Sequence, residues 1–244
     1  MLLNGRFQCS RLLKGGRGVD TYLAEDLQAG GAPVVVKLLH ADEVAPAMYI
    51  RLEHEAAVLS KLQGDGFHPL MNDFGDGGQV FVVQPFLTGR TLAERLTDGP
   101  LSVPSTLTVA SDVLRTLQHA HDLGVLHRDI KPANIIVQGQ EPLERAHLID
   151  FGLARSTSLD PALRHEAVGT ARYLAPEQAG LVDSGVDERS DLYSLGVVLY
   201  ECLAGRPPFE GSSVGEVLRQ HLSLPVPALS VTSTAAPRAL DWRP

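Results

Sequence analysis

The sequence predicts an α+β chain of two lobes: a small strand-rich lobe over about 1–84, a helical lobe over about 85–229, and an irregular tail over 230–244. Three observations carry that expectation. β-Branched runs dominate the first third, helix periods dominate from about Leu87 onward, and 244 residues that are 44% hydrophobic suffice to bury one large core or two smaller ones. A strand-rich part followed by a helix-rich part implies two lobes with a cleft between them.

In chain order, Val34-Val35-Val36-Lys37-Leu38-Leu39 is a β-branched run that reads as a strand, and Val80-Phe81-Val82-Val83, entered through Gly77-Gly78, reads as another. Between them Met48, Leu52, Glu55, Leu59 and Leu62 recur at spacings of three and four, a helix period that sets Glu55 on the apolar stripe. A carboxylate there is costly unless it meets a cation or faces a cleft. Ser102 and Pro104 are start signals for a helix through Ala110, Val113, Leu114, Leu117 and Ala120, stopped at Gly124. Ile135-Ile136-Val137 and His147-Leu148-Ile149 read as two short strands. Asp191 to Leu203 reads as a helix apolar nearly all round, which belongs in the middle of a fold and is expected to be wrapped on every side. After about Leu222 no helix period remains.

Composition excludes several classes. A formal net charge of −8 gives no bulk attraction for nucleic acid or an anionic membrane, so neither is an expected partner. The longest apolar stretch, Leu192 to Gly205, is too short for a membrane span and contains Glu201. Met1 to Arg6 lacks the basic-then-apolar pattern of a secretory signal. Cys9 and Cys202 make no disulfide framework, so a reducing, cytoplasmic setting is expected.

The residues that carry chemistry are local and ordered. His127-Arg128-Asp129-Ile130-Lys131-Pro132-Ala133-Asn134 follows an amphipathic helix and precedes a short strand, so it is a loop. Sixteen residues after Asn134 comes Asp150, which opens Asp150-Phe151-Gly152 at a strand end. Alone, the first is usually a solvated surface and the second a turn. Together they match the needs of phosphoryl transfer from ATP: Asp129 can orient a hydroxyl and accept its proton, Asn134 and Asp150 offer the hard oxygens that Mg²⁺ prefers, and Lys131 offers a cation near the transferring group.

This pattern resembles the catalytic loop and metal-binding motif of the protein kinases, in wording close to the bacterial Ser/Thr branch. Gly169-Thr170-Ala171-Arg172-Tyr173-Leu174-Ala175-Pro176-Glu177-Gln178 resembles the end of an activation segment, and Ser190-Asp191-Leu192-Tyr193-Ser194-Leu195-Gly196 the start of the large lobe's central helix. The resemblance spans roughly Arg6 to Leu224. It implies a bilobal kinase fold and ATP- and Mg²⁺-dependent phosphorylation of protein Ser or Thr hydroxyls, with Lys131 and Thr170 favouring Ser/Thr over Tyr. It also implies that Lys37 grips the α- and β-phosphates with Glu55 as its partner. On the same resemblance, Leu13, Gly15, Gly16, Gly18 and Thr21 are expected to line the nucleotide, Gln84 to hold the gatekeeper position, and Phe86 and Leu87 to belong to the adenine-binding connector.

The sequence departs from the family in three places. Aligned without gaps, the three glycine places of the phosphate loop fall on Lys14, Gly16 and Val19, and the usual valine over adenine becomes Thr21. Val19 is a poor substitute if its position needs positive φ. No threonine lies between Ser158 and Gly169, so Glu166 or a nearby carboxylate is expected to meet Arg128 in place of a phosphate. The helical lobe is expected to lack its last helices, including the one whose arginine pairs with the residue matching Glu177, leaving Arg206 or Arg219 to substitute. An irregular glycine loop and a shortened lobe keep open the alternative of a nucleotide-binding pseudokinase or regulatory module without turnover; the presence of Lys37, Asp129, Asn134 and Asp150 together argues against it. Ala175-Pro176-Glu177 argues against a small-molecule kinase of related fold.

Overall fold

The structure, a computed structural model, describes residues 1–16, 19–39, 71–74, 80–151, 167–182 and 184–229. The chain divides into two compact units, Met1–Leu87 and Thr88–Pro244. The helix expected around Met48 to Leu62 and the tail from 230 lie outside the described residues. No described helix is long and apolar enough to cross a membrane.

The first unit is a six-stranded antiparallel sheet: β1 (Leu2–Leu3), β2 (Phe7–Gly16), β3 (Val19–Asp26), β4 (Ala32–Leu39), β5 (Met71–Phe74) and β6 (Val80–Pro85), in the order β1-β2-β3-β4-β6-β5. The runs read as strands at Val34–Leu39 and Val80–Val83 are β4 and β6. Strand β1 was not anticipated. Asn4 and Gly5, both at positive φ (47° and 61°), turn the chain, and the Arg6 N–H closes the turn on the Leu3 carbonyl at 2.9 Å, a geometry that Asn-Gly favours. Arg6 then reaches Asp26 through two hydrogen bonds, at 2.8 and 2.7 Å, and lies over the Phe7 ring.

Side chains alternate across the sheet, so its two faces differ in kind. One face carries the core: Leu3, Phe7, Cys9, Ala24, Val34, Val36, Leu38, Phe81 and Val83. The register puts Lys14, Thr21, Lys37 and Val82 in one row across β2, β3, β4 and β6, on the opposite face. Strand β2 takes ten residues to pair with eight of β3, and the two extra fall at bulges between Cys9 and Arg11 and between Leu12 and Lys14. The hairpin ends with Gly16 paired to Val19.

Helices make up most of the regular structure of the second unit, as expected. β7 (Arg90–Thr91) pairs with β8 (Ile135–Gln138), which pairs with β9 (Arg145–Leu148). The second strand read from the sequence thus starts two residues earlier than His147. The helices are α1 (Leu92–Leu96), α2 (Val103–Asp122), α3 (Ala167–Ala171), α4 (Glu188–Ala204) and α5 (Val214–Ser223). Thr91 and Glu94 cap α1 reciprocally. Ser102 caps α2, as its sequence signalled, and α2 buries Val109, Val113, Leu117 and Ala120 along one stripe. Glu141, from the β8–β9 loop, accepts from the Ser102 N–H at 3.1 Å and from Arg95 at 2.9 Å, fixing that loop to the start of α2.

Helix α4 corrects the expectation of wrapping on every side. Leu195, Val197, Val198, Tyr200 and Cys202 are buried, but Leu192 is 45% exposed and Gly196 is also open.

Phe81 is fully buried and meets Phe7 edge-on, with ring centroids 5.9 Å apart. Phe81→Ala is expected to destabilise the first unit by about 3–5 kcal/mol, measured by urea titration followed by circular dichroism. A loss below about 1 kcal/mol contradicts the packing described.

Candidate active site

The second unit assembles Asp129, Lys131, Asn134 and Asp150 from two adjoining segments. The loop after α2 ends in a single 3₁₀ turn, Pro132–Asn134, that leads into β8. The antiparallel pairing of β8 with β9 brings the chain after β9 back to that turn, where the Ile149 N–H donates to the Asn134 carbonyl at 2.9 Å. Asn134 and Asp150, sixteen residues apart in sequence, therefore lie at the same end of one hairpin.

Within the loop, Lys131 Nζ donates to Asp129 Oδ2 at 2.7 Å. Asn134 Nδ2 donates to the same oxygen at 3.0 Å and to the Asp129 carbonyl at 2.8 Å. Both donors converge on Oδ2, and Oδ1 makes no hydrogen bond among the described residues. With its amide nitrogen engaged in this way, the Asn134 side-chain oxygen is turned away from Asp129.

Two residues here hold backbone that side chains normally avoid: Arg128 at φ 63° and Asp150 at φ 65°. Such conformations persist only where the surroundings fix both neighbouring peptides. For Arg128, the fixing of the amino-side peptides comes from Asp191, in the first turn of α4 and 1% exposed. Its Oδ1 accepts the Arg128 N–H at 2.7 Å; its Oδ2 accepts the His127 N–H at 2.8 Å and lies 2.9 Å from His121 Nε2.

His127 extends this brace. It is fully buried, and desolvation lowers its ring pKa from the usual imidazole value. Its Nδ1 accepts the Asp129 N–H at 3.3 Å, which leaves Nε2 to donate to the Ile149 carbonyl at 2.9 Å. Its ring meets Phe151 edge-on with centroids 4.7 Å apart. One imidazole thus ties Asp129 to the segment carrying Asp150. Gly152 and Glu166 lie outside the described residues, and the buried Arg128 Nε makes no hydrogen bond among the described residues.

In the first unit, Lys37 is buried at 5% exposure on β4, opposite Thr21 and Val82. Leu13 is the exposed residue at the second bulge of β2; Gly15 pairs with Asp20, and Gly16 with Val19. Val19 is in strand, outside the positive-φ region, so the backbone there does not demand glycine. Gln84 pairs with Val35 on β4, and the Phe86 N–H donates to the Pro33 carbonyl at 3.1 Å; Gln84, Phe86 and Leu87 are half-buried. Gly18 and Glu55 lie outside the described residues.

Sequence reasoning placed Asp191 in a helix start but missed its part in the site; the available signal was a carboxylate in the first turn of an otherwise apolar helix. It also missed what holds Glu177. No ion pair joins Glu177 to Arg206 or Arg219 among the described residues; instead Ser190 Oγ donates to Glu177 Oε1 at 2.5 Å.

Asp191→Asn leaves one oxygen for three donors and sets an amide N–H against a backbone N–H. With charge-assisted hydrogen bonds worth about 1.5–3 kcal/mol each, the substitution is expected to cost about 3 kcal/mol in denaturant unfolding. Unfolding within about 0.5 kcal/mol of the parent contradicts the role given to this carboxylate.

The protein kinase domain family matches residues 14–237. Serine/threonine-protein kinase pkn2 of Myxococcus xanthus is 38% identical over 232 residues, covering 91% of this chain and 27% of its own length. Serine/threonine-protein kinase PknB of Mycobacterium tuberculosis is 36% identical over 233 residues, covering 90% of this chain and 36% of its own length. The chain therefore spans about a quarter to a third of the length of these relatives. A crystal structure of the Mycobacterium tuberculosis PknI kinase domain, a cysteine-to-alanine mutant, superposes with a TM-score of 0.69 at 25% identity, covering 96% of this chain and 83% of that one. On the fold, the loop geometry and these matches, the chain belongs to the protein kinase domain family.

Proposed function

We propose that this chain transfers the γ-phosphoryl group of ATP, with Mg²⁺, to serine or threonine hydroxyls of proteins. The observation that carries the reading is the asymmetry of Asp129. Lys131 and Asn134 both hold Oδ2, at 2.7 and 3.0 Å, while Oδ1 makes no hydrogen bond among the described residues. Oδ1 is the atom to accept the proton of an incoming hydroxyl, and Oδ2 is the atom held still. Lys131, beside that carboxylate, sets a positive charge where the transferring group gains negative charge.

Magnesium, when bound, neutralises and orients the phosphates. Asn134 Oδ1 and the Asp150 carboxylate are the oxygens to hold it. The donor set fits: the Asn134 amide nitrogen is committed to Asp129, so the side chain presents a hard oxygen on its other side. Two protein oxygens suit a cation that keeps several waters and takes its remaining ligands from phosphate.

In the first unit, Lys37 grips the α- and β-phosphates with Glu55 as its partner. Leu13, Gly15, Gly16, Gly18 and Thr21 cover the nucleotide, and Gln84, Phe86 and Leu87 hold the adenine. The shared row of Lys14, Thr21, Lys37 and Val82 supports this arrangement, because it sets two ammonium groups on one face of the sheet. The names of the relatives support serine and threonine as acceptors. The free thiols Cys9 and Cys202, both buried, suit a reducing, cytoplasmic setting. A module without turnover has no chemical need for Lys37, Asp129, Asn134 and Asp150 together, and is not favoured.

The test is phosphate transfer from labelled ATP to a protein acceptor, with and without Mg²⁺. Asp129→Asn is expected to keep ATP binding but slow single-turnover transfer by about 10²–10⁴-fold; an unchanged rate removes Asp129 from the proton's path. Val19→Gly is expected to bring no gain in ATP affinity by calorimetry and to weaken the β2–β3 hairpin by roughly 0.5–1 kcal/mol, since glycine only loosens a strand position that does not need it. Tighter ATP binding by this variant contradicts that account of the hairpin.

A further inference from the structure

We propose that Gln178 is a positioning residue: its side-chain amide couples the peptide bond that carries Asp129 to the segment 170–178 beside it. The inference rests on the proposed phosphotransfer.

Arg128 is the strained residue of the loop, at φ 63°, and its two peptide groups are held from different sides. On the amino side, its N–H is fixed by Asp191 at 2.7 Å. On the carboxyl side, its carbonyl accepts from Gln178 Nε2 at 3.0 Å. That carbonyl belongs to the peptide whose N–H is that of Asp129, so any rotation about this peptide displaces the Asp129 side chain. The other half of the Gln178 amide is also engaged: Oε1 accepts the Ala175 N–H at 3.2 Å.

The residue type fits the task. A side-chain amide both donates and accepts from one rigid planar group; a carboxylate only accepts, an ammonium only donates, and a hydroxyl cannot span two sites at that separation. The turn bearing Gln178 is not itself adrift. Gln178 and Ala179 N–H groups bond back to the Ala175 carbonyl, and Ser190 Oγ holds Glu177 at 2.5 Å. Ser190 precedes Asp191 on α4. Both clamps on Arg128 therefore lead to the first turn of one helix, directly through Asp191 and indirectly through Glu177 and Gln178.

The coupled segment borders the reacting carboxylate. Asp129, Thr170, Tyr173 and Gln178 line one shallow recess. A protein hydroxyl approaching Asp129 passes along that wall, so Gln178 sets both the aim of the base and the position of the surface that receives the acceptor. Its loss is expected to lower kcat and raise the KM for the acceptor protein together, with the KM for ATP unchanged.

The experiment compares the parent chain with Gln178→Leu and Gln178→Glu, using ATP, Mg²⁺ and dephosphorylated casein. Gln178→Leu removes both bonds at similar length, and kcat is expected to fall roughly 10- to 100-fold, as for a misplaced catalytic group. Gln178→Glu keeps the acceptor for Ala175 but lacks the donor to Arg128 until its carboxyl is protonated. Its rate relative to the parent is expected to climb as the pH falls from about 8 to about 5, towards the ordinary glutamate range. A merely structural defect gives a deficit independent of pH. Amide exchange followed by mass spectrometry, without nucleotide, reads the coupling apart from catalysis: Gln178→Leu is expected to speed exchange over both 127–130 and 173–177, and Gln178→Glu mainly over 127–130. An inactive parent with these exchange changes overturns the phosphotransfer reading and keeps the coupling. A Gln178→Leu variant with parental exchange overturns the coupling, as does an active parent whose kcat survives that substitution.

Discussion

A single buried carboxylate organises the second unit. Removing Asp191 from water carries a large desolvation cost, and hydrogen bonds to both oxygens offset it: two backbone N–H groups and an imidazole. The donors come from consecutive residues of one loop and from the last turn of α2, so the carboxylate can be satisfied only when loop and helix hold this arrangement. The left-handed backbone of Arg128 is stable on the same terms. Freed from Asp191, that residue loses the hold on its amino side, and Asp129 loses part of its aim. The His127 ring carries the constraint onward to Ile149 and Phe151, and so to Asp150. The proposed proton acceptor and the proposed metal ligand are thus held by one chain of contacts that begins at α4.

The first unit solves a different problem, that of presenting charge from a sheet. Alternation along the strands sends Phe7, Val34, Val36, Leu38 and Phe81 to one face and Lys37 to the other, in register with Thr21 and Val82. Two bulges in β2 let a ten-residue strand pair with an eight-residue one and carry the hairpin to its end at Gly16 and Val19. Lys14 joins the row through the second bulge. The irregular placing of glycines therefore has a structural counterpart: the loop is short, and the position held by Val19 belongs to the strand.

Much of this was legible in the sequence because it rests on local pattern. Val34–Leu39, Val80–Val83 and the Ser102-capped helix read correctly, since period and capping depend on neighbouring residues. The proposed site was visible as a candidate because its residue types and spacing are demanding, and the loop and hairpin bring Asp129, Lys131, Asn134 and Asp150 to adjoining segments. What was missed depends on contacts distant in sequence. Asp191 serves His127 and Arg128 from 64 and 63 residues away, and Gln178 serves Arg128 from 50. Gln178 has no local signature, and that of Asp191, a carboxylate in the first turn of an apolar helix, does not name its partners. Glu177 was expected to need an arginine, but the first turn of α4 offers a serine hydroxyl at the right place. The β1–β2 turn is a different kind of miss: Asn4-Gly5 is a strong hairpin signal, obscured by the shortness of β1.

Helix α4 shows why hydrophobicity misjudged burial at one point. Its N-terminal half is inverted: Ser190, Asp191 and Ser194 are buried, while Leu192 is 45% exposed. A helix placed by apolar packing alone would turn Leu192 inward and the serines out. The orientation seen is the one that points Asp191 at the loop of His127 and Ser190 at Glu177, and Leu192, adjacent to both, is carried to the outside by helical geometry. Further along, Leu195, Val198 and Cys202 are buried as their character demands, while half-buried Glu201 accepts from the Tyr173 hydroxyl at 2.7 Å. Local preference gives way over the turn that holds the site, where hydrogen bonds to a buried carboxylate outweigh the burial of one leucine.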